Sequence, residues 1–339
     1  MNAVTKVALF SAQKYDREYF DTAIEPWPIQ IEYFEASLNQ KTIALAHDFD
    51  VVCVFVNDEL HSQVIKQLDE MNVKLIALRC AGFNNVDLQA CHDHGLRVVR
   101  VPEYSPFAVA EHTFGMILTL NRKIHKAYNR VREGNFSLNG LLGFDLNQKT
   151  IGVIGCGKIG SRVARIAHGF GMDVLLVDPA ADAELEAFGD FTDLEAALEE
   201  SDIVTLHCPL NDSTFHLIDD QSLDRMKIGA MLVNTSRGGL VDTHAAIQRL
   251  KSSQLGSLAI DVYEEEAGLF FRDRSATVLK DDVFARLLTF PNVLITGHQA
   301  FFTDEALREI AEMTVSSILS MSRGEPLENQ VGGEPALIQ

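Results

Sequence analysis

Lys149-Thr150-Ile151-Gly152-Val153-Ile154-Gly155-Cys156-Gly157-Lys158-Ile159-Gly160 is a short apolar run that enters a glycine turn. Beyond the turn, Ile159, Val163, Ile166, Ala167 and Phe170 recur at three- and four-residue steps, which predicts a helix over about 159–170. Asp173-Val174-Leu175-Leu176-Val177-Asp178 follows, a second apolar strand that ends in a carboxylate. Strand, G-x-G-x-x-G, helix, strand and acid together form a dinucleotide-binding pattern. Gly155 permits the tight turn, Gly157 lets the backbone approach a pyrophosphate, and Gly160 lets the helix pack close to the strand. Free N–H groups at the helix start favour an anion. Asp178 lies roughly 20 residues beyond the glycines, where it accepts hydrogen bonds from the adenosine ribose and repels a 2′-phosphate. NAD is therefore favoured over NADP. Without this context the glycines would read as packing residues of an ordinary strand–helix turn.

Outward from that stretch, a chain of 339 residues suggests two domains, and its 47% apolar content supplies a sizeable core. A formal net charge of −19 argues against nucleic acid and anionic membranes as partners. No apolar run is long enough to span a bilayer, and Met1-Asn2-Ala3-Val4-Thr5-Lys6 lacks the form of a signal peptide, so a cytoplasmic protein is expected. Cys53, Cys80, Cys91, Cys156 and Cys208 are widely spaced and odd in number, which fits reduced thiols better than disulfides or a zinc site. Cys91, His92 and His94 read as a solvated helix end, so no metal is expected.

The first hundred residues alternate strands with helices. Strands are expected at 4–10, Ile29–Phe34, Val51–Val56, Lys74–Leu78 and Arg97–Val101, and helices at Tyr15–Ile24 and Leu60–Glu70. Such alternation implies a parallel sheet covered on both faces. Arg79-Cys80-Ala81-Gly82-Phe83-Asn84-Asn85-Val86-Asp87 directly follows one strand and reads as either a substrate loop or a plain connector. Val101-Pro102-Glu103-Tyr104-Ser105-Pro106 reads as a hinge, with Ser105 as N-cap and Pro106 as first residue of a long helix reaching about Val131. That helix is apolar on more than one face, which suits both a domain core and a subunit interface. After the glycine turn come apolar strands at Ile203–Leu210, Met231–Asn234, Leu258–Tyr263 and Val293–His298, and a last helix from Thr303 to about Ser322, expected to pack on the first domain.

Arg237, Glu266 and His298 stand at or just beyond the ends of three of these strands. A parallel sheet gathers such residues on one rim. A histidine is a usual proton donor to the alkoxide that hydride transfer creates, a carboxylate on its other ring nitrogen fixes the tautomer, and a guanidinium holds a carboxylate through two parallel hydrogen bonds. The residues also have plainer readings: a strand-end histidine as structure, Arg237 as a surface ion pair, and Glu264-Glu265-Glu266 as a solvated charge run. His207, inside an apolar run, reads as structural.

Over essentially its whole length the chain resembles the D-isomer-specific 2-hydroxyacid dehydrogenases, and within them the bacterial fermentative NAD-dependent D-lactate branch. The resemblance is carried by Arg79–Asp87, Val109-Ala110-Glu111-His112, Val153–Gly160, Leu206-His207-Cys208-Pro209-Leu210, Asn234-Thr235-Ser236-Arg237-Gly238, Asp261-Val262-Tyr263-Glu264 and Gly297-His298-Gln299-Ala300-Phe301. It implies two Rossmann-like and flavodoxin-like parallel-sheet α/β domains with an active-site cleft between them. These would be a substrate domain from residues 1–102 plus 300–339 and an NAD-binding domain from 103–299. It implies that Arg237 binds the substrate carboxylate and that Glu266 pairs with His298, the acid/base. It implies cofactor contacts at Lys158, Ile159, Asp178, Cys208, Pro209, Thr214, Thr235, Ser236 and Asp261, besides the glycines 155, 157 and 160. Arg79, the backbone of Ala81 and Gly82, and Tyr104 would face the substrate from the other domain.

The implied reaction is reversible reduction of pyruvate to D-lactate by NADH. A bulkier 2-keto acid such as phenylpyruvate or 2-ketoisocaproate is the alternative substrate, although Tyr104, Phe301 and Phe302 would narrow the pocket toward pyruvate. The other alternative is an NAD-sensing binding protein without chemistry, against which the intact Arg237, Glu266 and His298 speak. A homodimer or homotetramer is expected.

Overall fold

A computed structural model of the chain describes residues 4–266, 268–271 and 273–332. Met1, Asn2 and Ala3 of the N-terminal stretch, Ala267 and Arg272, and residues 333–339 lie outside the described residues.

The chain begins β1 (Thr5–Leu9), α1 (Lys14–Ile24), β2 (Ile29–Tyr33), β3 (Val51–Val54), α2 (Ser62–Glu70), β4 (Leu75–Leu78), α3 (Leu88–Asp93) and β5 (Arg97–Val99). It continues α4 (Pro106–Arg122), α5 (Ile124–Arg132), β6 (Thr150–Ile154), α6 (Lys158–Gly169), β7 (Asp173–Val177), β8 (Asp190–Phe191), α7 (Leu194–Glu200) and β9 (Ile203–Leu206). The remainder is α8 (Asp220–Arg225), β10 (Ala230–Asn234), α9 (Thr243–Ser252), β11 (Leu255–Ile260), α10 (Asp282–Leu288), β12 (Val293–Ile295), α11 (Asp304–Arg323) and β13 (Gln330–Val331). Two compact units result. Unit 1 takes the described residues up to Ser105 and those from Phe302 onward; unit 2 is Pro106–Phe301. The junctions fall at 105/106 and 301/302, against 102/103 and 299/300 in the sequence reading.

In unit 1 the parallel strands run β2-β1-β3-β4-β5, with β13 antiparallel on the edge at β5. That is the flavodoxin-like doubly wound order, whose direction of growth switches between β1 and β3. The segments Val-Val-Cys-Val of β3 and Leu-Ile-Ala-Leu of β4 are buried at every position, as strands covered on both faces must be. One cover comes from the far end of the chain. Ala311, Val315 and Ile318 of α11 pack with Phe20 of α1 over Val7, Leu9, Val51, Cys53 and Leu75.

In unit 2 all seven strands are parallel, in the order β8-β7-β6-β9-β10-β11-β12. This is the dinucleotide-binding order, with the switch between β6 and β9. Because the strands are parallel, the residues after β6, β9, β10, β11 and β12 share one edge of the sheet.

The long helix expected from Pro106 to about Val131 is corrected. It stops at Arg122, where Lys123 takes a left-handed backbone (φ +52°) and α5 starts afresh. A left-handed residue cannot carry the helical hydrogen-bond ladder, and the Lys123 ammonium instead donates to the carbonyls of Asn121 and Leu142. The strands expected to reach Val56 and Leu210 end at Val54 and Leu206.

At the C-terminal edge of β1 and β3, Asp58 is almost wholly buried and accepts three hydrogen bonds. They come from Ser11 Oγ at 2.8 Å, the Leu38 amide at 2.7 Å and the Phe55 amide at 2.6 Å. Its removal strands two backbone donors. Asp58→Ala is expected to lower the unfolding free energy of the chain by about 3 kcal/mol, and Asp58→Asn by less, in urea titrations followed by circular dichroism. A midpoint unchanged in Asp58→Ala would contradict this account of the edge.

Candidate active site

The glycine turn after β6 is shaped by collisions that a side chain would cause. Gly155 has φ +92°, and a Cβ there would lie 2.4 Å from the Cys208 nitrogen. A Cβ on Gly160 would lie 1.9 Å from the Gly155 oxygen. These two glycines serve packing. Gly157 differs: no atom lies within 4 Å of the position a Cβ would take. It is the N-cap of α6, and no side chain caps that helix end. Asp178, half-buried at the end of β7, accepts from the Cys156 amide at 2.7 Å and the Ala180 amide at 2.9 Å. Each of its oxygens keeps further acceptor capacity. Open room over Gly157, an uncapped helix start and a carboxylate without 2′-phosphate tolerance are a donor and acceptor set that fits NAD. Burial and the nearby Asp178 push the Cys156 thiol up to about 12, so it is a filler and not a nucleophile.

The next segments along the edge are tied to one another. After β9, Thr214 Oγ1 donates to the Pro209 carbonyl at 2.6 Å, and Ser236 Oγ donates to the Cys208 carbonyl at 2.8 Å. Thr235 is buried, with its hydroxyl 2.9 Å from that of Thr113 on α4. His207 Nε2 lies 2.9 Å from Thr205 Oγ1, and burial pushes its imidazole down to about 3, which suits a neutral structural ring. Ile159 is half-buried in the first turn of α6 and Lys158 is exposed beside it.

Arg237 follows β10. Its Nη1 donates to the neighbouring Ser236 carbonyl at 2.7 Å, and among the described residues no carboxylate pairs with it. The next residue, Gly238, presses on the chain after β11. A Cβ there would fall 2.1 Å from the Tyr263 carbonyl carbon and 2.4 Å from the Glu264 nitrogen. Only glycine allows the Arg237 loop this close to the segment that carries Glu266.

Glu266 and His298 meet. His298 Nδ1 lies 2.9 Å from Glu266 Oε1, and Glu266 Oε2 accepts from the Tyr263 amide at 3.1 Å. A carboxylate accepts only, which puts a proton on Nδ1 and leaves Nε2 outside this pair. The rings of Phe271 and Phe301 stand 5.6 Å and 6.5 Å from that of His298. His298 itself has φ +54°.

That strained backbone is held by Asp261, at the end of β11. Its side chain has no solvent exposure. Its oxygens accept from the Thr296 hydroxyl and from the Gln299 and Ala300 amides, both at 2.9 Å, with His112 Nε2 at 3.5 Å. The Asp261 carbonyl accepts from the His298 amide at 2.7 Å. Burial alone would raise the Asp261 carboxyl. The hydrogen bonds from His112, Thr296 and the two amides outweigh it and hold the group below the usual carboxylate range. Asp261 is thus enclosed beside the His298 loop, whose amides take up its acceptors. His112 and Thr296 were not singled out as site residues in the sequence. Only the fold brings them to Asp261, from α4 and from the end of β12.

The residues expected at the substrate from unit 1 divide. Arg79 is buried in unit 1. Its Nε lies 3.2 Å from Asp16 Oδ1, its Nη2 donates to the Ser11 carbonyl at 2.9 Å, and its guanidinium covers Phe55 at 4.8 Å. The pull of Asp16 is the reason, since an unpaired guanidinium could not be buried there. The Ala81 carbonyl accepts from Arg100 at 2.9 Å, the Gly82 carbonyl faces the Cys80 thiol at 3.3 Å, and Tyr104 is half-buried.

The chain is similar to known proteins over nearly its whole length. The family described as D-isomer specific 2-hydroxyacid dehydrogenase, NAD binding domain, matches residues 114–300. The chain is 53% identical over 316 residues to 2-hydroxyacid dehydrogenase A of Aspergillus oryzae, covering 92% of this chain and 91% of the relative. It is 49% identical over 327 residues to the D-lactate dehydrogenase of Escherichia coli, covering 96% and 99%. A solved structure of the pyruvate reductase of Chlamydomonas reinhardtii superposes with a TM-score of 0.91 at 44% identity, covering 97% of this chain and 99% of that one.

The three glycines are expected to separate by experiment. Gly157→Ala keeps the wild-type thermal midpoint and loses NADH affinity by tenfold or more, read by quenching of protein fluorescence. Gly155→Ala and Gly160→Ala lose folded protein outright, since backbone atoms must move to make room. An alanine at 157 that binds NADH normally would show that the space above it holds no pyrophosphate.

Proposed function

This chain belongs to the D-isomer-specific 2-hydroxyacid dehydrogenases, and on that premise we propose that it reduces pyruvate to D-lactate with NADH, reversibly. It is an NAD-dependent oxidoreductase, and bound NADH supplies the hydride. The cofactor residues in this reading are Gly155, Gly157, Lys158, Ile159, Gly160, Asp178, Cys208, Pro209, Thr214, Thr235, Ser236 and Asp261. Asp261 also holds the His298 loop. Arg237, whose guanidinium has no acid partner among the described residues, takes the keto-acid carboxylate through two parallel N–H bonds. His298 Nε2 gives a proton to the carbonyl oxygen as it becomes an alkoxide, and takes it back in the oxidative direction. Glu266 holds the ring by its Nδ1–H. The observation that carries the reading is the 2.9 Å His298–Glu266 pair, with an uncommitted arginine at the end of a strand in the same sheet.

Phe271 and Phe301 beside the His298 ring support a small keto acid over a bulky one. Arg79, Ala81, Gly82 and Tyr104 are the proposed substrate contacts of unit 1. The five cysteines are all free thiols, which supports a reducing compartment such as the cytoplasm. No helix among the described residues is long and apolar enough to cross a membrane.

A homo-oligomer, dimer or tetramer, is part of the proposal. Ile124, Tyr128 and Val131 on α5, with Phe136, Leu138 and Leu142 after it, are each more than half exposed. α5 has no buried residue of its own, so a second copy is the cover proposed for this stripe.

Two outcomes are expected. His298→Asn lowers kcat for pyruvate by about 10³-fold while the NADH dissociation constant stays within twofold, and Arg237→Lys lowers kcat/KM for pyruvate by about 100-fold, measured by NADH absorbance with chiral analysis of the product. Full turnover in His298→Asn would reject the assignment. In sedimentation velocity, Tyr128→Glu combined with Leu142→Glu is expected to shift the protein from an oligomer to a monomer; a monomeric wild type would refute the interface.

A further inference from the structure

Glu264 is the first member of the acidic run and lies two residues before Glu266. Its carboxylate is engaged at both oxygens. Oε1 lies 2.7 Å from His216 Nε2, and Oε2 accepts from the Thr243 amide at 2.9 Å. The two partners belong to different segments. His216 closes the loop that starts at Cys208 and carries Pro209 and Thr214. Thr243 is the first residue of α9, behind the Arg237 loop.

Other contacts fix the same junction. The His216 amide donates to the Gly239 carbonyl at 2.8 Å, and Ile218 bridges Val241 in parallel. Gly238 lies against the backbone of Tyr263 and Glu264. His216 has φ +50°, and its ring stacks on Phe215 at 4.0 Å, so its direction is set by its own chain. Three segments therefore meet at one carboxylate: the loop of the proposed cofactor contacts, the loop of Arg237, and the stretch of Glu266.

We propose that Glu264 is a positioning residue: by clasping His216 and the Thr243 amide, it holds the Cys208–Thr214 loop and the Arg237 loop in register with Glu266. The inference rests on the function proposed above. The physical reason is leverage. Glu266 and Arg237 sit on loops, not on strands, and a misplacement of about 1 Å at a reacting group costs on the order of 100-fold in rate. A carboxylate serves two N–H donors at once and joins segments that backbone pairing alone leaves hinged. Glu264 touches no reacting atom in this scheme.

The test is a mutant cycle of His216→Ala, Glu264→Gln, Glu264→Ala and the His216→Ala/Glu264→Ala double variant. It is read by NADH binding through fluorescence quenching, by KM and kcat for pyruvate, and by thermal midpoint. His216→Ala and Glu264→Ala are each expected to weaken NADH binding threefold or more and to lower kcat/KM for pyruvate tenfold or more. The double variant is expected to be no worse than the poorer single one, since both remove one clasp. Glu264→Gln, which keeps an acceptor for Thr243 and a polar contact for His216, is expected to recover most of the loss. Additive effects, or a lower kcat with KM and NADH affinity unchanged, would overturn the proposal, because a mere loss of folded enzyme does the latter. Where Glu264→Ala fails to fold, His216→Ala, whose ring is partly exposed, and Glu264→Gln decide the matter alone. A wild type that oxidises NADH with no 2-keto acid is a failure of the parent reading; NADH affinity across the variants then still accepts or rejects the clasp.

Discussion

The buried carboxylate of Asp261 is the constraint on which the rest of the nucleotide unit depends. An ionised group without solvent contact is costly unless donors surround it. Here the Thr296 hydroxyl, two consecutive loop amides and His112 converge on it. Those donors come from α4, from the end of β12 and from the loop after it. Satisfying one charge thus fixes where α4 lies on the sheet and how the chain leaves β12. The His298 amide is held at the same residue's carbonyl, so the His298 ring inherits its place from the fold's electrostatic needs.

The same edge shows how parallel sheets separate framework from chemistry. The strands are closed and apolar, and each ends in a short polar segment that finds partners on the next strand's segment. Gly155 against Cys208, Gly160 against Gly155, and Gly238 against Tyr263 are contacts with no side chain between them. They place the loops by backbone volume, which varies little. Side chains then act on top of that placement: Arg237 left uncommitted, Glu266 turned to His298, and Glu264 turned the other way to His216.

Much of this was legible in the sequence because it is local. A strand buried on both faces is apolar without alternation, and the glycine turn stands between two such strands with an acid after the second. The positions of Arg237, Glu266 and His298 just past apolar runs put them on one rim of a parallel sheet. What escaped is what depends on partners far away in the chain. Nothing near Lys123 announces a left-handed residue, since the apolar pattern runs through it. The pairing of Arg79 is not local, because its acid, Asp16, lies 63 positions earlier. The run Glu264-Glu265-Glu266 reads as a solvated face, yet Glu264 and Glu266 are each committed to a different histidine. Short helices such as α7, α8 and α10 went unread. Their ends are set by caps at Asp193, Asp219 and Asp281, and their few turns hold too little periodicity to register.

His298 is held at φ +54°, a region that asparagine, aspartate and histidine enter more readily than other side chains and that β-branched residues scarcely visit. A saturation library at this codon therefore reports two quantities mixed together. Valine or isoleucine would register as dead through main-chain distortion, irrespective of imidazole chemistry. Directed evolution that treats the position as an ordinary slot would misassign those losses, whereas asparagine removes the imidazole with the least disturbance of the main chain.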